Sequence, residues 1–272
     1  MEPAPDWGGT WRPDWGGTWW PGDHQGVSAT VYAHFRGSYV AMFRDPAIRA
    51  VSAFIRAGDA PPGDPWRWGH GSDGTKDMLE RSGNSSVQQE ALLAYANRTR
   101  GWVTRSLAGQ LTAPVNGTRA AMYETCEAWI PAQGNSRARA AAECEPTAPS
   151  ALPIARRRLR EGFKFVGITD HWALSICLLH SALGGMCLPV ESVNNRETPT
   201  TGKLSTIEAA VQLRRAGFYD PYDDPLFADA RRRFHADLRK HRVTPTSCFR
   251  LGCGPLPHED LAELELAWYS HK

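Results

Sequence analysis

Two short apolar runs, each handing over directly to a helical pattern, limit the architectures open to this chain. The first spans residues 38–43 (SYVAMF) and ends at Arg44-Asp45-Pro46; the second spans Phe163–Ile168 (FKFVGI) and ends at Thr169-Asp170. Pro46 can open a helix, because the N–H it lacks would have gone unpaired in the first turn. The segment that follows carries Ile48, Val51 and Ile55 at helical spacing on one face. An Arg-rich helix over 151–161 leads into the second run, and another over Trp172–Leu183 leaves it. Strands separated by helices predict βαβ units and parallel pairing, and so an α/β fold. Residues 88–111 read as mostly helical and 58–74 and 184–205 as loops. Residues 224–242 form an amphipathic helix with Leu226, Phe227, Phe234 and Leu238 facing inward.

Composition bears on class and partners. Hydrophobic residues make up 42% and charged residues 22%, which excludes disorder over the whole chain. A length of 272 residues allows one large or two small domains. Lys and Arg exceed Asp and Glu by 31 − 29 = +2. That near-balance argues against nucleic acid or an anionic membrane as the main partner, so any bound anion must meet a local pocket. No run approaches the roughly 18 apolar residues of a membrane span, and the opening residues show no charged-then-apolar export pattern.

The N-terminus repeats DWGGTW at Asp6–Trp11 and Asp14–Trp19, with Arg12 and Pro13 between the copies. Two six-residue copies cannot build a solenoid, so residues 1–21 are expected to be an irregular arm. Three Asn-x-Ser/Thr sequons begin at Asn84, Asn97 and Asn116. Six cysteines fall as three sequence-local pairs, Cys126/Cys144, Cys177/Cys187 and Cys248/Cys253. Sequons and an even cysteine count together favour an oxidising lumen. Cys177, inside an apolar helical run, fits a buried thiol best. No spacing is CxxC and no His follows at zinc-finger distance, so no metal is expected.

The strand-to-helix turn puts Arg44 at the carboxyl edge of the predicted sheet, where open α/β folds bind ligands. Ser52 follows eight residues later, roughly two helical turns along. A forked guanidinium and a neutral hydroxyl that converge suit a phosphate. The alternative is a surface Arg paired with Asp45 and a Ser packed on the sheet. The chain has no Gly-x-Ser-x-Gly elbow, no His-Glu-x-x-His pair and no Gly-x-Gly-x-x-Gly after a strand, so hydrolase, zinc-protease and dinucleotide-oxidoreductase readings lose their main support. Thr200–Ser205 (TTGKLS) is not a Walker loop, because Glu197 and Leu204 stand where Gly and Ser or Thr are required. Arg156–Arg158 and Arg231–Arg233 are basic triplets that are either solvated faces or contacts for an acidic glycan.

Arg44–Phe54 (RDPAIRAVSAF) resembles the 3′-phosphate-binding motif of carbohydrate sulfotransferases, an Arg-Asp-Pro turn, a second Arg, then Ser before an aromatic. Three further segments agree in order: Thr104–Gly109 (TRSLAG), Phe165–Asp170 (FVGITD) and the helix from Asp223 to Phe234. The similarity runs from about residue 22 to about residue 242. It implies a P-loop-like parallel sheet flanked by helices, and 3′-phosphoadenosine 5′-phosphosulfate as the co-substrate held by Arg44 and Ser52, with no metal. Arg196 and Lys203 would touch the same 3′-phosphate from a late loop, the alternative being charges on a solvated loop. His24, twenty residues ahead of Arg44, would be the general base that takes the acceptor hydroxyl's proton; an exposed loop His is the alternative, and His34 a less favoured base. His171 is expected to be structural or at the pocket rim.

The family's 5′-phosphosulfate loop, a Lys with Gly, Ser and Thr between the first strand and first helix, has no counterpart before Arg44. The resemblance therefore implies an N-terminally truncated sulfotransferase lacking the first strand, that loop and a Golgi membrane anchor. The expected organisation is an arm over 1–21, a sulfotransferase-like domain over 22–245 with a variable insertion at 112–150, and a C-terminal tail over 246–272. The expected reaction moves a sulfonyl group onto a hydroxyl of a carbohydrate or similar acceptor in the Golgi lumen. The rival expectation is a catalytically silent remnant that binds a glycan or protein.

Overall fold

The computed structural model describes residues 27, 29–59, 85–110, 147–193 and 206–269. The arm over 1–21 and most of the insertion expected at 112–150 lie outside them. The described elements are α1 (Ala29–Phe35), β1 (Tyr39–Phe43), α2 (Pro46–Asp59), α3 (Ser85–Arg98), α4 (Trp102–Ala108), α5 (Ala151–Gly162), β2 (Phe163–Ile168), α6 (Trp172–Leu183), α7 (Thr206–Arg215), α8 (Asp223–Lys240), α9 (Pro245–Arg250) and α10 (His258–Tyr269). Short 3-10 turns stand at Thr169–His171 and Pro189–Ser192. Gly58 and Asp59, expected to open a loop, still belong to α2.

Strands β1 and β2 pair in parallel, from Tyr39 opposite Phe163 to Phe43 opposite Ile168. The described structure is thus mostly helical around a small parallel sheet, an α/β-like arrangement. β2 is buried except at Lys164, as expected of a parallel strand covered on both faces. Gly167 permits the pairing, because a Cβ there would lie 2.3 Å from Met42 Sδ. Ser175 locks the end of β2, since its hydroxyl accepts from Ile168 N and donates to Ile168 O, both at 2.9 Å.

The main core gathers on this sheet. Leu226, Ala230, Phe234 and Leu238 of α8, spaced every four residues, pack with Leu159, Val166, Leu174 and Leu178. Phe227, expected to face inward, is only partly buried. A second cluster joins Ala47, Ala50 and Val51 of α2 to α3 and α7. The segment from 246, set apart above as a tail, belongs to the main core through Cys248, Leu264 and Ala267. Sequence patterning missed it because α9 has only six residues, held by the Thr244–Ser247 capping box rather than by an apolar stripe.

The disulfides cross the sequence-local pairs. Cys177 bonds to Cys248 and Cys187 to Cys253, across 71 and 66 residues. Cys177 is fully buried, as a core thiol would be, but it is oxidised because α9 folds back onto α6. In the chain-entropy view, closing a loop of that size limits the unfolded state by about 4 kcal/mol. No helix among the described residues is long and apolar enough to cross a membrane.

Phe234 has no exposed surface, so Phe234→Ala should lower the unfolding free energy by about 3–5 kcal/mol. Urea denaturation checks this, and a loss below about 1 kcal/mol would show that α8 does not organise the core.

Candidate functional site

Because Phe43 lies opposite Ile168, Arg44-Asp45 and Thr169–His171 leave the sheet side by side at its carboxyl edge. Asp45 caps α2: its Oδ1 accepts from Ala47 N at 2.8 Å and Ile48 N at 3.1 Å, with Pro46 between them. Its Oδ2 meets Arg214 of α7 at 3.1 Å. Arg214 also forks onto Asp224 at 2.6 and 2.7 Å, and that bond, with Asp45's charge, raises its pKa further. The Arg44–Asp45 pair, considered above as the alternative, is therefore not what Asp45 does. The Asp45 backbone N–H lies on the side of the Asp170 carboxyl and favours its charged form.

Arg44 is half-buried, and its charge faces Asp170. Burial pushes the Asp170 carboxyl up and the Arg44 guanidinium pulls it down; burial wins, so the group sits above its ordinary value. Arg44 Nε is buried without a hydrogen-bond partner. Several other arginines share that property, so its place at the strand end is what distinguishes Arg44. Ser52, also partly buried, lies two turns into α2, roughly 9 Å along the axis from Pro46 at 1.5 Å per residue. His24, Arg196 and Lys203 lie outside the described residues.

His171 leads into residues that sequence reasoning missed. Its Nδ1 lies 3.0 Å from Asp260 Oδ1 and its Nε2 3.6 Å from Glu263 Oε2. Asp260 and Glu263, both on α10, are buried. Asp260 Oδ2 accepts from Leu174 N at 3.0 Å, so it caps α6, whose N-cap residue, His171, makes no side-chain capping bond of its own. Glu263 accepts from Arg231 Nε and His235 Nε2, both at 2.7 Å. Burial opposes its charge, but the hydrogen bonds from Arg231 and His235 and the charge of His171 outweigh it and hold the carboxyl at about 2. Burial likewise opposes a charged His171, and the Asp260 hydrogen bond with the Glu263 charge outweighs it, so the imidazole pKa is raised. The readable signal was a pair of acids at i, i+3 inside a segment otherwise rich in Leu and Ala.

The basic triplets are used within the fold. Arg231 holds Glu263, Arg232 and Arg156 meet Asp229, and Arg233 donates to the carbonyls of Leu159 and Phe163. Arg158 donates to the carbonyls of Val27 and Leu107, and its guanidinium lies 4.7 Å from the Tyr32 ring centre. Among the described residues, the group with metal-ligand spacing lies elsewhere, at His180, Cys187 and Glu191. The arrangement at the sheet edge can therefore present Arg44 to an anion, while its acids and His171 are engaged with one another. No family model matches the chain, and no curated protein or solved structure matches it either.

The two shifted groups give opposite pH dependences. Glu263, depressed in the folded state, contributes stability above its ordinary value of 4.5 that is lost as pH falls through about 2. His171, raised above 6.5, contributes stability that is complete below that value and lost as pH rises through its folded pKa. Urea midpoints should show that Glu263→Gln flattens the acid-side loss and His171→Asn flattens the loss on the neutral side. Slopes identical to the parent would mean that the network does not hold these charges.

Proposed function

We propose that this chain is a sulfotransferase-like domain that grips the 3′-phosphate of 3′-phosphoadenosine 5′-phosphosulfate with Arg44 and Ser52. On this reading it passes the sulfonyl group to a hydroxyl of a carbohydrate or similar acceptor. The observation that carries the reading is Arg44 at the carboxyl edge of a parallel pair, one residue past β1 and directly ahead of a helix capped by Asp45. A planar guanidinium at such an edge suits a phosphate. The remainder rests on the motif resemblance: His24 as the base, Arg196 and Lys203 as added phosphate contacts, and a Golgi-type lumen, with which the two disulfides agree.

In this reaction the acceptor oxygen attacks sulfur in line while a base takes its proton. Fixed cations stabilise the charge that grows on the departing bisphosphate. His171 is a poor candidate for the base, because both ring nitrogens face carboxylates that favour its protonated form. Among the described residues the imidazole at the sheet edge is thus engaged, and a second reading is a binding module that takes the nucleotide or a glycan without turnover.

Calorimetry with adenosine 3′,5′-bisphosphate tests the first reading. Arg44→Ala should weaken binding by at least about 1.5 kcal/mol, the low end for a hydrogen bond to a charged group. Asp170→Asn, which removes a competing negative charge beside Arg44, should tighten it. Unchanged affinity in both removes Arg44 from the site. Binding with no turnover of labelled donor selects the second reading.

A further inference from the structure

A second cluster lies in the loop that follows α6. His180 Nε2 faces both carboxylate oxygens of Glu191, at 2.9 and 3.1 Å, while its Nδ1 faces the Gly184 carbonyl at 3.4 Å. Cys187 Sγ completes a group whose ligand atoms all lie within 4.8 Å of one another, and Cys253 is bonded to Cys187. Three side chains of metal-ligating type thus meet at one place, and a fourth, Cys253, is bonded to one of them.

The backbone around them is held independently of the disulfide. Cys187 N donates to Leu251 O at 2.9 Å, Leu188 N to the Glu191 carboxylate at 2.7 Å, and Trp172 Nε1 to the Glu191 carbonyl at 2.7 Å. His180 and Glu191 are largely shielded, with side chains 12% and 24% exposed. When Nε2 binds a cation, the Gly184 carbonyl that faces Nδ1 can hold its N–H, as a backbone carbonyl does behind many metal-bound histidines.

We propose that His180, Glu191, Cys187 and Cys253 form a four-coordinate zinc site once a thiol reductant opens the Cys187–Cys253 bond. The reductant supplies two electrons and two protons and becomes a disulfide itself; zinc then displaces the two cysteine protons and binds the thiolates. Typical Zn–N and Zn–O lengths near 2.0 Å at a tetrahedral angle set the His–Glu separation at about 3.3 Å, close to that present. The disulfide and the metal exclude each other, because a bonded sulfur offers no thiolate. Cys177–Cys248, buried in the core, is in no such group among the described residues and remains a structural tie. This inference stands apart from the sulfotransferase reading, since none of its residues lies at the sheet edge.

The test titrates cobalt(II) into the full chain carrying Cys126→Ser and Cys144→Ser, purified oxidised and then reduced with a phosphine. The reduced chain should bind one equivalent, show thiolate-to-cobalt charge transfer with the strong visible absorption of four-coordinate cobalt, and release the cobalt to zinc. The oxidised chain should show neither band. His180→Ala and Glu191→Gln, each folded with its disulfides intact before reduction, should weaken binding by at least about tenfold. Equal affinity in both variants overturns the proposal, as do equal bands in the oxidised chain. Loss of helical circular dichroism on reduction without recovery on adding cobalt overturns it too.

Discussion

A helix that begins without a side-chain acceptor at its N-cap must find one elsewhere or leave its first N–H groups unpaired. Helices α4 and α6 both begin in that way, at Gly101 and His171. In each case a buried carboxylate from a distant part of the chain supplies the acceptor. Asp223 takes Val103 N at 3.0 Å and Thr104 N at 2.8 Å, and Asp220 takes Gly101 N at 2.8 Å. Asp260 does the same for α6. Because burying a charge without partners is costly, each acid fixes the placement of the helix it serves as firmly as the helix fixes the acid. The C-terminal helices are therefore bound to the sheet-bearing part by directed bonds as well as by apolar contact.

The sheet edge inherits its character from this arrangement. Parallel pairing brings positions 44 and 170 together, but the charges on α8 and α10 decide what is left available there. His171 and Arg231 are drawn towards Glu263, and Asp45 towards Arg214. Beside Arg44 stands Asp170, whose carboxyl burial pushes up while the guanidinium pulls it down. Among the described residues at this edge, Arg44 is thus the guanidinium without a carboxylate ion pair.

The local elements were legible from the chain wherever period and punctuation agreed. Phe163–Ile168 and Trp172–Leu183 appear at the bounds that their apolar patterns indicate, and the stripe of α8 is the one its spacing describes. Partners distant in sequence were not legible. Nothing in the pattern links Glu263 to Arg231 or Cys177 to Cys248, because tertiary packing makes those choices. The acids of α10 drew no expectation, because they stand in the stretch from 246 that was set apart as a tail. At the site, the chain made Arg44 and Ser52 visible as a motif but not Asp170, the carboxylate on which the Arg44 charge acts.

The two disulfides share a direction: each joins the α6 segment to the short stretch between residues 248 and 253. Any backbone cleavage between residues 188 and 247 would therefore fall inside a closed covalent ring. A protease that clips there yields two peptides that stay together as one molecule until the sulfur bonds are broken, so the helix carrying Asp260 and Glu263 stays tethered beside the sheet after the cut.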